Sequence, residues 1–220
     1  MGIISVEQAD RLYWLGRYTE RVYTTLRIYF RSFDSMIDEI SDSYQQFCEL
    51  IDIPNTYENK EDFNNRYPFD EDNPDSIISN LNKAYDNAIV LRESIGSESL
   101  SYIQLAIYEM NRAKESGAPL IELQKVIDNL VAFWGIADDQ IDDERIRNII
   151  KAGRKIERID MYARLEVDRL ELIREVKRLI PRLEKCGLDY DIDTVIRLKE
   201  TVNSTEVNYY DVVNLVESII

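Results

Sequence analysis

The residues best suited to chemistry form one motif that occurs twice. G-R-x-x-E-R stands at Gly16–Arg21 and again at Gly153–Arg158. In a helix the Arg and Glu of each copy are three residues apart, and the Gly and Glu four apart, so they share one side. An interior glycine costs a helix about 1 kcal/mol relative to alanine and usually marks a close helix crossing. The motif therefore predicts two helices that pack at their glycines, related by a pseudo-twofold, with the charged side chains in one cluster.

Three interpretations of this charged cluster are open. A buried network fixes the helix register, with each carboxylate satisfied by a guanidinium. A polar pocket binds an anion through its arginines, or uses Glu20 or Glu157 as a general base on a ligand. Ion pairs on the surface contribute little. The first requires a sealed cluster, and the second requires an open cleft beside the two glutamates.

Apolar periodicity places both motifs in long helices and predicts no strand. The expected fold is an all-α bundle, a single domain over residues 1–220, with about five main helices and two short C-terminal helices. A capping box at Ser5 and Gln8 opens the first helix, and Gly187 ends the fifth. The predicted bounds are 5–50, 73–95 with Asn73 as N-cap, 97–116, 119–134, 142–185, 191–202 and 209–220.

Residues 54–75 are expected to form the one irregular stretch, an acidic loop that contains three of the five prolines. It is interpreted as a solvated connection between long helices, or else as a lid or a docking surface for a basic partner. Its aromatic residues indicate that part of it packs down; they are Tyr57, Phe63, Tyr67 and Phe69.

The composition removes several classes of function. The 220 residues include 27 Lys+Arg, 42 Asp+Glu and no histidine, which gives a net charge of −15. No Ser-His-Asp triad or His-ligated zinc is possible, and a non-specific nucleic-acid binder is disfavoured. Cys48 and Cys186 are interpreted as free thiols. Because neither a signal peptide nor a membrane-spanning run is recognisable, we expect a cytoplasmic protein that is not embedded in a membrane.

Two metal-dependent alternatives are weaker. The run Asp138–Asp143 is similar to an aspartate-rich magnesium motif, but a second such motif is not evident, and acids there also suit the start of the next helix. A ferritin-like di-metal centre normally uses Glu-x-x-His, and histidine is lacking. We therefore predict no metal and no cofactor.

The first motif also carries a family resemblance. The segment Arg11–Arg21, which reads RLYWLGRYTER, closely resembles the opening of the bacterial and archaeal alpha-E family, long catalogued as a domain of unknown function. The second G-R-x-x-E-R matches a late family segment, and Asn87–Glu98 is similar to a middle one. Departures occur at Ile89, at residues 149–152 and at Val22–Tyr23, where the family commonly has other residues.

The resemblance implies a function at the level of association. Alpha-E proteins accompany circularly permuted ATP-grasp proteins and transglutaminase-like proteins and have been proposed to assist ATP-dependent peptide or amide-bond synthesis. This implies an accessory component that binds such a partner or a peptide, the alternatives being an enzyme and a structural homodimer. The implied site residues are Tyr13, Trp14, Arg17, Glu20, Arg21, Asn87, Arg92, Glu98, Arg154, Glu157 and Arg158.

Overall fold

The computed structural model describes the backbone of residues 4–38 and 43–220 and the side chains of residues 4–32 and 43–220. All regular secondary structure in these residues is helical, which confirms the all-α prediction. The helices are α1 (Val6–Asp38), α2 (Ser43–Leu50), α3 (Lys60–Arg66), α4 (Ile77–Val90), α5 (Arg92–Ile95), α6 (Ser97–Glu115), α7 (Pro119–Gln140), α8 (Glu144–Arg164), α9 (Arg169–Cys186), α10 (Ile192–Asn203) and α11 (Tyr209–Glu217).

The described residues fall into two compact units. Unit 1 contains the described residues up to Glu20 together with Ile141–Ile220, and unit 2 contains Arg21–Gln140. Helix α1 contributes its first half to unit 1 and its second half to unit 2. That the whole chain behaves as a single domain stays a prediction.

Unit 1 is built on the antiparallel pair α8 and α9. Ion pairs join the two helices in reverse order, because Glu144 meets Lys185 at one end of the pair and Lys155 meets Glu175 near its middle. Helix α11 packs on α8, and α10 packs on both α9 and α11. The first half of α1 lies against α8 at the two motif glycines. Unit 1 thus contains Gly16–Glu20 of the first G-R-x-x-E-R copy and the whole second copy, Gly153–Arg158.

The long fifth helix predicted from the sequence is wrong. The chain turns back at residues 165–168, where Glu166 has φ 46° and Asp168 caps α9 through Leu170 N. Neither glycine nor proline marks this turn, and the apolar period continues across it, so the sequence pattern alone did not reveal it. Pro181 lies inside α9.

Other predicted boundaries need smaller corrections. Ser76, and not Asn73, accepts the capping hydrogen bond of α4, and α7 extends to Gln140. The stretch 54–75 is not irregular throughout, because α3 lies within it. The predicted first helix ended near Leu50, but residues 39–42 lie outside the described part, so its continuity there is not described. Gln8 N donates to Ser5 Oγ at 3.1 Å, as the predicted capping box requires, and Gly187 closes α9 with φ 71°.

Unit 2 has an aromatic core that draws on the acidic segment. Phe63 stacks on Tyr67 with ring centroids 5.1 Å apart, and both rings are fully buried. Tyr57 packs edge-on against Phe63, and Tyr29 of α1 packs against the same ring. The acidic segment is therefore anchored by its aromatic residues. The α6–α7 pair and α4 complete the unit. Every helix in the described residues is too short or too polar to cross a bilayer.

Candidate functional site

The two motif glycines permit α1 and α8 to touch through their backbones. A Cβ placed on Gly16 would overlap the carbonyl oxygen of Ile150 and lie 3.1 Å from Arg154 N. A Cβ placed on Gly153 would overlap the carbonyl oxygen of Tyr13 and lie 3.3 Å from Arg17 N. The two environments are equivalent under the offset of the repeat. This is the local pseudo-twofold predicted from the motif.

The charged residues of the motif meet across this crossing. Arg17 Nε donates to Glu157 Oε2 at 2.7 Å, and Arg154 Nε donates to Glu20 Oε2 at 3.3 Å. These two pairs are equivalent in the repeat. Arg158 adds a second bond to Glu20, from Nε to Oε1 at 2.6 Å. Both glutamate side chains have no exposed surface, and the three arginine side chains are between 11% and 18% exposed.

Aromatic residues cover one end of this network. The guanidinium of Arg17 lies 5.0 Å from the ring centroid of Trp14 and 5.9 Å from that of Tyr13. Trp14 in turn stacks on Tyr18 at 5.2 Å. Cation–π contact and burial hold the Arg17 side chain in the rotamer that reaches Glu157. The predicted aromatic wall therefore packs on the arginine itself.

A third carboxylate extends the network onto α9. Glu175 is 1% exposed and accepts a hydrogen bond from Lys155 Nζ at 2.5 Å and from Arg178 Nη1 at 2.8 Å. Arg158 Nη1 lies 3.9 Å from Glu175, so this guanidinium connects Glu175 to Glu20. The sequence pattern did not predict a role for Lys155, Glu175 or Arg178. A continuous helix from 142 to 185 would place Lys155 and Glu175 about 30 Å apart, and the unforeseen turn brings them together.

The arginines differ in how fully their charge is compensated. Burial opposes the charge of Arg17, but Glu157 outweighs burial and raises the pKa of Arg17 above its usual value. Glu20 does the same for Arg158. Burial dominates at Arg154, whose pKa falls to about 10 despite Glu20, with the charge of Arg158 adding to the decrease. All three remain charged at neutral pH.

Asp160 lies three residues after Glu157, about one helical turn along α8, and is 2% exposed. Burial, with the neighbouring charge of Glu157, raises the pKa of Asp160 to about 6. Arg164 Nε donates to Asp160 Oδ1 at 3.1 Å and partly offsets both effects. The carboxyl group of Asp160 therefore titrates in a range accessible to experiment.

The remaining predicted site residues lie in unit 2. Arg21 follows Glu20 on α1, Asn87 lies on α4, and Arg92 begins α5. Arg92 Nε donates to Ser97 Oγ at 3.1 Å. Glu98 accepts a hydrogen bond from Gln140 Nε2 at 2.6 Å. The structure therefore brings together seven of the eleven predicted residues in unit 1: Tyr13, Trp14, Arg17, Glu20, Arg154, Glu157 and Arg158.

A cavity of about 380 Å³ in unit 1 adjoins this cluster. Tyr13 lines it, together with Asp10 from α1, Ile149 and Arg145 from α8, and residues around Gly187 at the end of α9. Its volume is in the range of small-molecule sites, and its walls combine apolar and charged groups. Within the described residues, no group of three or more acids and cysteines is arranged to hold a metal ion.

Comparison with known proteins gives one match. The sequence profile of Alpha-E, described as a predicted alpha-helical domain with a conserved ER motif, matches residues 7–215. The chain therefore belongs to the Alpha-E family, and the ER dipeptide occurs here as Glu20-Arg21 and Glu157-Arg158. Neither a curated protein nor a solved structure matches the chain.

Proposed function

Starting from its membership in the Alpha-E family, we propose that this protein is a non-catalytic accessory component of ATP-grasp-linked peptide or amide-bond synthesis. It binds an ATP-grasp or transglutaminase-like partner, a peptide, or both. The observation that carries the non-catalytic part is the state of the motif glutamates. Glu20 and Glu157 are fully buried, and each is held by arginine.

This burial argues against the enzyme alternative. A general base must come within hydrogen-bond reach of a proton on the substrate. Glu157 has no exposed side-chain surface and already accepts from Arg17 at 2.7 Å. Reaching a substrate would break that pair and leave a guanidinium buried without its counter-charge, which is strongly unfavourable. The motif is better explained as the frame that fixes α1 against α8.

If the buried network only fixes α1 against α8, the surfaces around it remain available to bind a partner or a peptide. The cavity beside Tyr13 has the size and mixed lining that suit the end of a short peptide, with a carboxylate near Arg145 and an amine near Asp10. The synthesis itself, with its ATP, would be performed by the partner. A cytoplasmic location belongs to this proposal, because ATP-dependent ligases act where ATP is available.

The proposal is tested by capture of the tagged protein from its own cells, followed by mass spectrometry. An unrelated tagged protein of similar negative charge controls for non-specific binding. We expect enrichment of an ATP-grasp or transglutaminase-like protein. Failure to enrich either, from a lysate in which both are detected, would contradict the accessory role. A doubled mass of the purified protein without partner would instead support the structural homodimer.

A second measurement separates accessory from enzyme. The captured ligase is assayed for ATP-dependent amide-bond formation with and without this protein, and with the Glu20→Gln and Glu157→Gln variants that remain folded. An accessory protein stimulates the ligase, and the folded variants retain most of that stimulation. Peptide modification by the purified protein alone, lost in either variant, would favour the enzyme.

A further inference from the structure

The α8–α9 pair is basic although the chain is acidic. Residues 144–185 contain 13 Lys+Arg and 8 Asp+Glu, a net charge of +5 in a protein whose total is −15. Part of this excess belongs to the buried network described above. Other cations of the pair are exposed, including Arg174 and Arg178 of α9.

Five of these cations form a row that we call the basic stripe: Lys151, Lys155, Arg174, Arg178 and Arg182. On each helix they are spaced by four residues, which places them on one face. The antiparallel pairing aligns the two faces, because Lys155 contacts Glu175 and Arg182 Nη1 donates to Asn148 Oδ1 at 3.2 Å. Lys151 lies between Asn148 and Lys155 on the same face of α8.

Arg178 and Arg182 of the stripe carry positive charge that the acids around them compensate only in part. Glu175 is shared by several cations and is buried beneath them, and Glu171 pairs with Arg174 at the edge. Arg182 is hydrogen-bonded to a neutral amide. In the part of the chain that the structure describes, the one ion pair of Arg178 is with Glu175, through Nη1. A guanidinium has five N–H donors, and the side chain of Arg178 is 53% exposed, so it presents further donors to solvent.

We propose that the basic stripe binds an extended acidic peptide segment with Asp or Glu at alternate positions. Cations four residues apart on a helix are about 6 Å apart, and alternate side chains of an extended chain are about 7 Å apart. Guanidinium groups match carboxylates through paired hydrogen bonds. Three members of the stripe, Lys155, Arg174 and Arg178, already hold a carboxylate, that of Glu175, so carboxylate recognition is the chemistry that this face displays.

The overall charge limits the length of this ligand. At physiological salt, charges more than a Debye length of about 8 Å from the stripe are largely screened. A long polyanion would nevertheless extend over acidic parts of the surface and be repelled there. A short acidic segment gains the local attraction and avoids most of that repulsion. The basic stripe is a surface apart from the motif glutamates, and peptide binding to it does not depend on the identity of a ligase.

The test is fluorescence anisotropy with a labelled peptide of alternating Gly and Glu, eight residues long in this design, at low and physiological salt. The control peptide has Gln in place of Glu. The test variants are Arg178→Gln and Arg182→Gln, and the matched control is Lys185→Gln, which removes the same charge on the same helix from a pair with Glu144. Circular dichroism confirms that each variant is folded.

We expect the acidic peptide to bind and the Gln peptide not to bind. Each stripe variant should weaken binding about five- to tenfold, which corresponds to roughly 1 kcal/mol, while Lys185→Gln changes it less than twofold. Equal loss in all three variants would show a non-specific effect of charge and overturn the proposal. So would undetectable binding at low salt, or tighter binding of inorganic pyrophosphate than of the peptide. Salt-sensitive dimerisation abolished by Arg178→Gln would assign the stripe to a second copy of the chain instead.

Discussion

Gly16 of α1 and Gly153 of α8 each lie against the main chain of the other's helix, at equivalent positions of the repeat. The contact of Gly16 is the carbonyl of Ile150, and that of Gly153 is the carbonyl of Tyr13, three residues before the opposite glycine in both cases. Because both partners are backbone atoms within helices, neither can move aside alone. The reciprocal ion pairs Arg17–Glu157 and Arg154–Glu20 depend on this crossing.

We predict that Gly16→Ala and Gly153→Ala destabilise the protein to a similar extent, by about 3 kcal/mol or more, because the added methyl group forces the helices apart. Urea unfolding followed by circular dichroism measures the change. Gly135→Ala is the matched control: this glycine is inside α7, and a Cβ there meets nothing within 4 Å. That substitution should stabilise by about 0.5–1 kcal/mol. An equal effect at all three glycines would refute the close crossing.

The buried pair Arg17–Glu157 is expected to show strong coupling. Removing one partner leaves the other buried without its counter-charge, so Arg17→Met and Glu157→Leu should each destabilise by about 3–5 kcal/mol. The double variant should be more stable than the sum of the two losses predicts. A double-mutant cycle of unfolding free energies measures this coupling.

The control for this cycle is the pair Glu7–Arg11 on the exposed face of α1. Its side chains are 75% and 33% exposed, so solvent screens the interaction and the cycle should give little or no coupling. Additive effects of Arg17→Met and Glu157→Leu would contradict the network described above.

The sequence predicted the contact between α1 and α8, but it did not predict the contact between α8 and α9. Repetition of Gly, Arg and Glu at fixed spacing encodes the contact of α1 with α8, because the missing side chain of an interior glycine permits a close crossing and the flanking charges can then pair across it. The partner of Glu175 could not be predicted in the same way. Its contact with Lys155 depends on the turn at Glu166, and a turn made by ordinary residues leaves no compositional signal.

The acidic segment 54–75 is a second case in which the sequence pattern did not reveal the structure. Its many Asn, Asp and Glu favoured an irregular loop, yet Phe63 and Tyr67 gain enough buried area to order it and to support α3. The aromatic residues indicated that it packs, but Asn59 as the N-cap of α3 was not identified. Tertiary burial of aromatic side chains outweighed the local preference for a loop.

Asp160 should make stability depend on pH. Its pKa is about 6 in the folded protein, where burial and then Glu157 disfavour the charge, and its usual value is 3.8. The unfolded chain therefore ionises first, and stability falls as pH rises from about 4 through 6. The difference of about two pKa values corresponds to roughly 3 kcal/mol.

Asp160→Asn removes this titration while keeping an oxygen for Arg164. We expect the stability of the variant relative to the native protein to increase between pH 4 and pH 7 and to level off above that. Urea unfolding at half-unit pH intervals measures it, with Asp191→Asn as the comparison. The N-cap bonds of Asp191 to Thr194 lower its pKa, so its loss should weaken the protein more as pH rises. Parallel curves for the native protein and Asp160→Asn would disprove the raised pKa.

The turn between α8 and α9 gives the last prediction. Glu166 adopts φ 46°, a left-handed conformation that is unfavourable for a residue with a Cβ and readily adopted by glycine. Glu166→Gly should therefore stabilise the protein by up to about 1 kcal/mol, and Glu166→Val should destabilise it, because branching at Cβ makes this conformation worse. Thermal unfolding of the two variants measures both effects. A loss of stability in Glu166→Gly equal to that in Glu166→Val would mean that the glutamate side chain itself holds the turn, and that α9 is not positioned over Lys155 by backbone geometry alone.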